Sequence, residues 1–290
     1  MTASPSEPQR HDQVGAGDVL ADGPEGDVPM SFWDHLAELR VRLMRAALGL
    51  LVGVVIGFWF VRELQSFLKA PLDRAWEQAG LPGRPALQAL AVMDVFMTDV
   101  RVAVTAGIFV AAPVIFYQLW MFISPGLYSH EKKYVIPFVA TSALMFTAGA
   151  AFCYAFVLPF SLEWLLAYPA MQGSEQVDVV YQITVNSYVK DATKLLLAFG
   201  LVFEFPLAVF FLTVTGAITH RSLLRFWKLA VVIIFIVAGL LTPPEPVSQL
   251  MMAVPMVLLF FGSVGVAYVF SKPARVPDMT DETSNLAASP

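Results

Sequence analysis

Six stretches of this chain carry no charge, or a single one, over lengths that a helix needs to cross a bilayer. They are 46–61, extended backwards by 41–45, then 102–123, 135–158, 195–215, 229–241 and 247–270. The fourth contains one acid, Glu204, and the fifth has a possible start near Phe226. Long uncharged runs without period-2 alternation exclude a membrane β-barrel. The expected fold class is therefore all-α, a polytopic membrane protein of six transmembrane helices. Composition agrees: 57% of the residues are hydrophobic and 14% charged. Soluble chains are nearer half and a quarter, so the surplus needs a second apolar solvent.

The runs are unequal. From Phe226 to Leu241 a helix at ~1.5 Å per residue covers about 24 Å, against a hydrocarbon core of ~30 Å. The turn Thr242-Pro243-Pro244-Glu245-Pro246 joins it tightly to the sixth run. The pair is expected to form a short helical hairpin that incompletely crosses or locally thins the bilayer. Two long loops, near 62–101 and 159–194, lie on the other side of the membrane from the N-terminus. Within the second, 177–194 reads as an amphipathic helix leading into the fourth span. Trp59, Trp120, Tyr134, Trp164 and Trp227 fall near run ends, as interfacial aromatics do.

Residues 1–29 hold six acids and one base, Arg10, with several Gly and Pro. This fits neither a secretory signal nor a transit peptide, and reads as a disordered tail. Met30 is an alternative start. A membrane domain is expected over 30–271, and a flexible polar tail over 272–290. With the N-terminus inside, inner segments carry ten bases and outer segments seven, and the inner loops are much shorter. The positive-inside rule then puts both termini in the cytoplasm.

Several function classes are excluded. A net charge of −5 with no basic patch argues against nucleic acid. The single cysteine, Cys153, permits no internal disulfide and sits in an apolar run. There is no GxxxxGK[ST] loop and no HExxH, and the four histidines lie outside the apolar runs. No nucleophile–base pair is evident. The expectation is a non-enzyme with no catalytic residues, no metal and no cofactor.

Four features remain. Glu204 sits mid-span, where a carboxylate costs a few kcal/mol on insertion scales and is usually functional. Pro206 removes an N–H and frees the carbonyl of Val202, so the two form a polar notch. The alternative is a protonated or internally paired Glu that only packs. Ser31-Phe32-Trp33-Asp34 reads as a helix start, followed by an apolar stripe of Phe32, Leu36, Leu39 and Leu43. Glu38 and Arg42 have the favourable i,i+4 order, which by itself is also a plain surface pair. In 124–133, Pro125 and Gly126 set a sharp turn, with Glu131 before two lysines. Thr242 and Gln249 either bond another transmembrane helix or cap the Pro-rich turn.

These segments resemble one family: TatC, the multi-spanning subunit of the twin-arginine protein translocase. The resemblance rests on 35–43 (HLAELRVRL), 112–115 (APVI) with 117–120 (YQLW), 122–128 (FISPGLY) with His130-Glu131, 203–206 (FEFP), and 241–245 (LTPPE) with Ser248-Gln249, in that order. It implies a six-helix, glove-like bundle that receives signal peptides bearing two adjacent arginines. Carboxylates matching Glu38 and Glu131 would bind that pair, since a guanidinium fork pairs bidentately with carboxylate. Arg40 and Phe122 match further functional positions of the signal-peptide site, and Pro71 a proline of the first outer loop. The intramembrane acid matches Glu204, and the partner sites match Thr242 and Gln249. Glu245 stands where the family often has Asp.

The resemblance also implies export of folded proteins driven by the proton-motive force. The partners it implies are single-span TatA and TatB subunits, further TatC copies and the lipid bilayer of a prokaryotic inner membrane, with no nucleic acid. The competing reading from the residues alone is a proton-coupled small-solute transporter using Glu204.

Overall fold

The computed structural model describes residues 32–123, 135–171, 181–214, 218–242 and 246–270. Ser31, Pro125, Glu131, Glu245 and the two tails lie outside the described residues. Within them the chain is helical throughout, apart from short connections and one isolated backbone bridge between Gln88 and Thr184. The ten α-helices are α1 (Phe32–Trp59), α2 (Val61–Gln78), α3 (Val92–Ile123), α4 (Val135–Phe152), α5 (Leu158–Met171), α6 (Val185–Phe203), α7 (Phe205–Val214), α8 (His220–Arg225), α9 (Trp227–Leu241) and α10 (Pro246–Phe270). Five segments are long and apolar enough to cross a membrane; α9 is a shorter apolar helix. The six runs of the sequence are thus five full-length spans and one short one.

The helices overrun the uncharged runs. The amphipathic start and the first run form one continuous helix, α1, and α3 begins at Val92, ten residues before its uncharged run. Polar residues at span ends continue the helix because each backbone N–H is still best satisfied by the carbonyl four residues back. The stretch 62–101, read as a loop, contains α2. Its Leu68, Pro71, Leu72 and Ala75 repeat at i, i+3, i+4, i+7 and are all buried, so it lies as an amphipathic lid on the bundle. α2 ends at a turn where Gly80 and Gly83 adopt positive φ (69° and 73°), which side-chain-bearing residues rarely do. The helix expected from 177 starts at Val185, where Thr184 accepts from the Ser187 N–H at 3.3 Å. An N-cap of this kind fixes the start more sharply than hydropathy does.

Close approach of backbones holds the spans together. Among the described residues of α1 only Gly53 and Gly57 are buried. A Cβ on Gly53 would lie 2.5 Å from the Gly107 carbonyl oxygen, one on Gly57 2.5 Å from that of Ala103, and one on Gly49 3.0 Å from a Val114 methyl. These pairs run in opposite directions, so α1 and α3 pack antiparallel through a small-residue seam every four residues. Such seams bind helices in lipid, where no hydrophobic force distinguishes neighbours from solvent. α4 and α6 repeat the device. A Cβ on Gly149 would meet the Phe199 carbonyl oxygen at 2.5 Å, and one on Gly200 the Phe146 ring at 2.7 Å.

Between α4 and α5 the helix carries a π-bulge at Cys153–Val157. The extra residue re-aims Tyr154. Pro71, with no N–H, leaves the Phe67 carbonyl without its i+4 donor. The Tyr154 hydroxyl donates to that oxygen at 2.8 Å, and the two rings stack at 4.1 Å. Tyr188 of α6 donates to the neighbouring Leu68 carbonyl at 2.7 Å. The proline thus creates the acceptor through which α2 is fastened to the bundle.

Candidate functional site

At the end of the bundle where α1 begins, α1 and α3 bring three sequence-predicted residues into one cluster. His35 stacks on Phe122 with centroids 4.3 Å apart and 17° between planes. His35 and Glu38 are neighbours on α1, with Nδ1 4.0 Å from Glu38 Oε2. The Arg42 guanidinium, one turn on, donates through Nε to Glu38 Oε1 at 2.8 Å, and through Nη2 to the same oxygen. That fixes the carboxylate, while its Oε2 is buried and has no hydrogen-bond partner. An ionised carboxylate accepts through both oxygens, so Glu38 keeps one unused acceptor, covered from solvent beside His35. Arg40 lies on the exposed face of α1, about 200° around the helix axis from Glu38, and is not drawn into the cluster. Glu131 belongs to the loop that follows Phe122 and lies outside the described residues.

Deeper in the bundle, the helix breaks at Glu204, between α6 and α7, two residues before Pro206. The missing Pro206 N–H and the break coincide in a stretch that the sequence presented as one continuous span. The Ser142 side chain lies beside the Glu204 carboxyl. Glu204 Oε1 is buried and unpartnered. Ser142 also accepts from the Trp120 indole N–H at 2.9 Å. An indole N–H can only donate, so Ser142 accepts through a lone pair of its hydroxyl. Trp120 was expected at the membrane interface; it is buried instead, packed on Phe138 (4.7 Å) and edge-on to Phe211 (5.0 Å). Its partner Ser142 sits on the next span, α4, so run-end position alone does not reveal the pairing.

Glu204 lines a groove of about 500 Å³, whose other walls are apolar residues of α6, α7, α9 and α10. The short hairpin α9–α10 thus borders the acid. Thr242 is buried and its Oγ1 donates to the Ala238 carbonyl at 2.9 Å. Gln249 donates through Nε2 to the Phe235 carbonyl at 2.9 Å. Thr242 caps the C-terminal end of α9, and Gln249 ties α10 to the interior of α9. Among the described residues no three His, Cys, Asp or Glu side chains group as metal ligands.

The profile of the TatC family, described as Sec-independent protein translocase protein (TatC), matches residues 34–255. The chain belongs to the TatC family. Among curated relatives, the TatC protein of Halothiobacillus neapolitanus is 36% identical over 99% of this chain and 75% of its own length. That of Helicobacter pylori strain J99 is 40% identical over 80% of this chain and 87% of its own. A crystal structure of the twin arginine translocase receptor TatC in DDM superposes with a TM-score of 0.71 at 34% identity, covering 80% of this chain and 99% of the other. The chain is accordingly a multi-pass membrane component of the Sec-independent protein translocase, TatC in fold and family. Sequence reading missed the His35 stack, the Trp120–Ser142 pair and the small-residue seam. Of these, the Gly49, Gly53, Gly57 spacing was the one visible signal.

Proposed function

We propose that this TatC protein is the signal-peptide receptor and assembly core of its translocase, and that Glu38 with Glu131 holds the paired arginines of an exported protein's signal. The observation that carries the reading is the buried, unpartnered Oε2 of Glu38, on a carboxylate held by Arg42 through its other oxygen and next to the His35 ring that stacks on Phe122. A guanidinium N–H of the signal supplies the donor that this oxygen lacks, and the neighbouring aromatic rings suit its planar cation. A lysine offers only a point charge, so replacing arginine by lysine in the signal weakens the complex.

The positive-inside count places this cluster at the cytoplasmic surface, with both termini on the same side, where a newly made cargo arrives. The apolar part of the signal then runs along the bundle toward the groove beside Glu204. Single-span TatA and TatB subunits dock there and on the short hairpin, and the proton-motive force drives export of the folded cargo. The role of Glu204 is to present a carboxyl to a partner helix from within an otherwise apolar groove.

The test is crosslinking of a twin-arginine signal peptide to the membrane-embedded protein. Glu38→Gln and Glu131→Gln each remove a charge-assisted pair of about 1.5–3 kcal/mol, so each is expected to weaken crosslinking roughly tenfold or more. Unchanged crosslinking in both variants sinks the receptor assignment. Co-purification with single-span partners separates this reading from a solute transporter, which would instead catalyse uptake as the purified chain in liposomes.

A further inference from the structure

The short helix α9 raises a problem of satisfaction. Its fifteen residues cover about 22 Å at ~1.5 Å per residue, less than a ~30 Å hydrocarbon core. The last four carbonyls of any helix have no intrahelical donor and need partners from elsewhere. Two side chains answer. Thr242, from within the hairpin, caps the Ala238 carbonyl through both its N–H and its hydroxyl, each at 2.9 Å. The other comes from a different span: Lys194 of α6 donates through Nζ to the Leu240 carbonyl at 2.7 Å. Gln249 of α10 adds a tie inside the hairpin, donating to the Phe235 carbonyl, which lies before the orphan set.

We infer that Lys194 is a positioning residue that fixes the open end of the α9–α10 hairpin against the wall carrying Glu204. The argument is one of charge and connectivity. A cation at a helix C-terminus meets the negative end of the macrodipole, and an ammonium is the strongest donor available there. Among the described residues Lys194 takes part in no ion pair, so its charge is committed to that carbonyl end. Lys194 and Glu204 lie ten residues apart on the same wall. A shift of α6 therefore carries the hairpin end with it. The functional consequence rests on the reading that the hairpin docks partner subunits: Lys194 sets where Thr242 and the exposed Leu250 face stand relative to Glu204.

The experiment uses the assembled translocase in native membranes and in detergent. Lys194→Met keeps the length and apolar stem but removes the charge. Hydrogen exchange in the last turn of α9 is expected to rise about tenfold, as loss of one charge-assisted bond at a helix end implies. Photo-crosslinking from Leu250 to the single-span partners is expected to fall several-fold, while signal-peptide crosslinking at Glu38 stays at its parent level. Lys194→Arg restores both readouts. Should Lys194→Met fail to accumulate, Lys194→Gln, neutral and shorter, is expected to give the same rise. Unchanged exchange in the neutral variants, or failure of arginine to rescue, overturns the inference. Faster exchange with partner crosslinking unaffected supports the positioning role and overturns the docking reading instead.

Discussion

At the scale of single residues, the polar groups of this bundle work in ordered chains. Trp120 donates to Ser142, and Ser142 contacts Glu204. Removing the middle member leaves a buried indole N–H unsatisfied. Ser142→Ala is therefore expected to cost about 1–3 kcal/mol, read as a lowered melting temperature in detergent. Trp120→Phe keeps most of the aromatic packing and removes the donor with the need for it, so it should cost less. The ordering of the two variants is the check, because pure packing loss predicts the reverse. Tyr154→Phe strands the carbonyl that Pro71 exposes, and about 1–2 kcal/mol is the expected loss by the same measurement. Pro71→Ala supplies an N–H for the Phe67 carbonyl, and is expected to make Tyr154→Phe nearly silent in the double variant.

At the scale of elements, the determinant is how near two backbones come. α1 buries little beyond its glycines, so its attachment to α3 depends on Gly53 and Gly57 meeting Gly107 and Ala103. A side chain at Gly53 must push the Gly107 carbonyl away, since even a Cβ lies at 2.5 Å. Gly53→Val is expected to destabilise by about 1–3 kcal/mol and to open the seam, read as reduced disulfide formation between cysteines placed along α1 and α3. Gly262 and Gly265 of α10 have nothing within 4 Å of an added Cβ, and alanine there should be silent. The contrast between the two sets separates packing from helix propensity, for which alanine is everywhere the better residue.

At the scale of the whole molecule, five full spans and one short one give the bundle a shallow side. Inserting four alanines into α9 before Gly239 adds about one turn, ~6 Å, and carries the Leu240 carbonyl past Lys194. Export is expected to fail while signal-peptide crosslinking at Glu38 persists; loss of both would mean a general folding defect. Orientation is tested with the single native cysteine, Cys153, which is buried and quiet. A cysteine at Arg84 is expected to react with a membrane-impermeant maleimide in intact cells. One at Ser6 is expected to react only after permeabilisation. The opposite pattern would invert the receptor surface and remove Glu38 from the side where cargo is made.

The sequence by itself determined the solvent, the membrane-spanning helices and the family, but not α2, which lies in a stretch that reads as a loop. Uncharged runs of span length force helices because lipid offers no partner for a bare backbone, and that argument needs no neighbour. It also gave the shortness of α9, since a run length acts locally. What the tertiary structure decided is which groups meet. Whether Glu38 has a free oxygen depends on Arg42 and on Phe122 eighty-four residues away. Whether Trp120 faces lipid or Ser142 depends on how closely α3 and α4 approach. Lys194 reads in the sequence as one more base near a span end; only the packing of α6 on α9 turns it onto a helix terminus. Hydropathy records the average medium around a residue, whereas a hydrogen bond depends on one partner's position within half an ångström, and that position is fixed by contacts far apart in the chain.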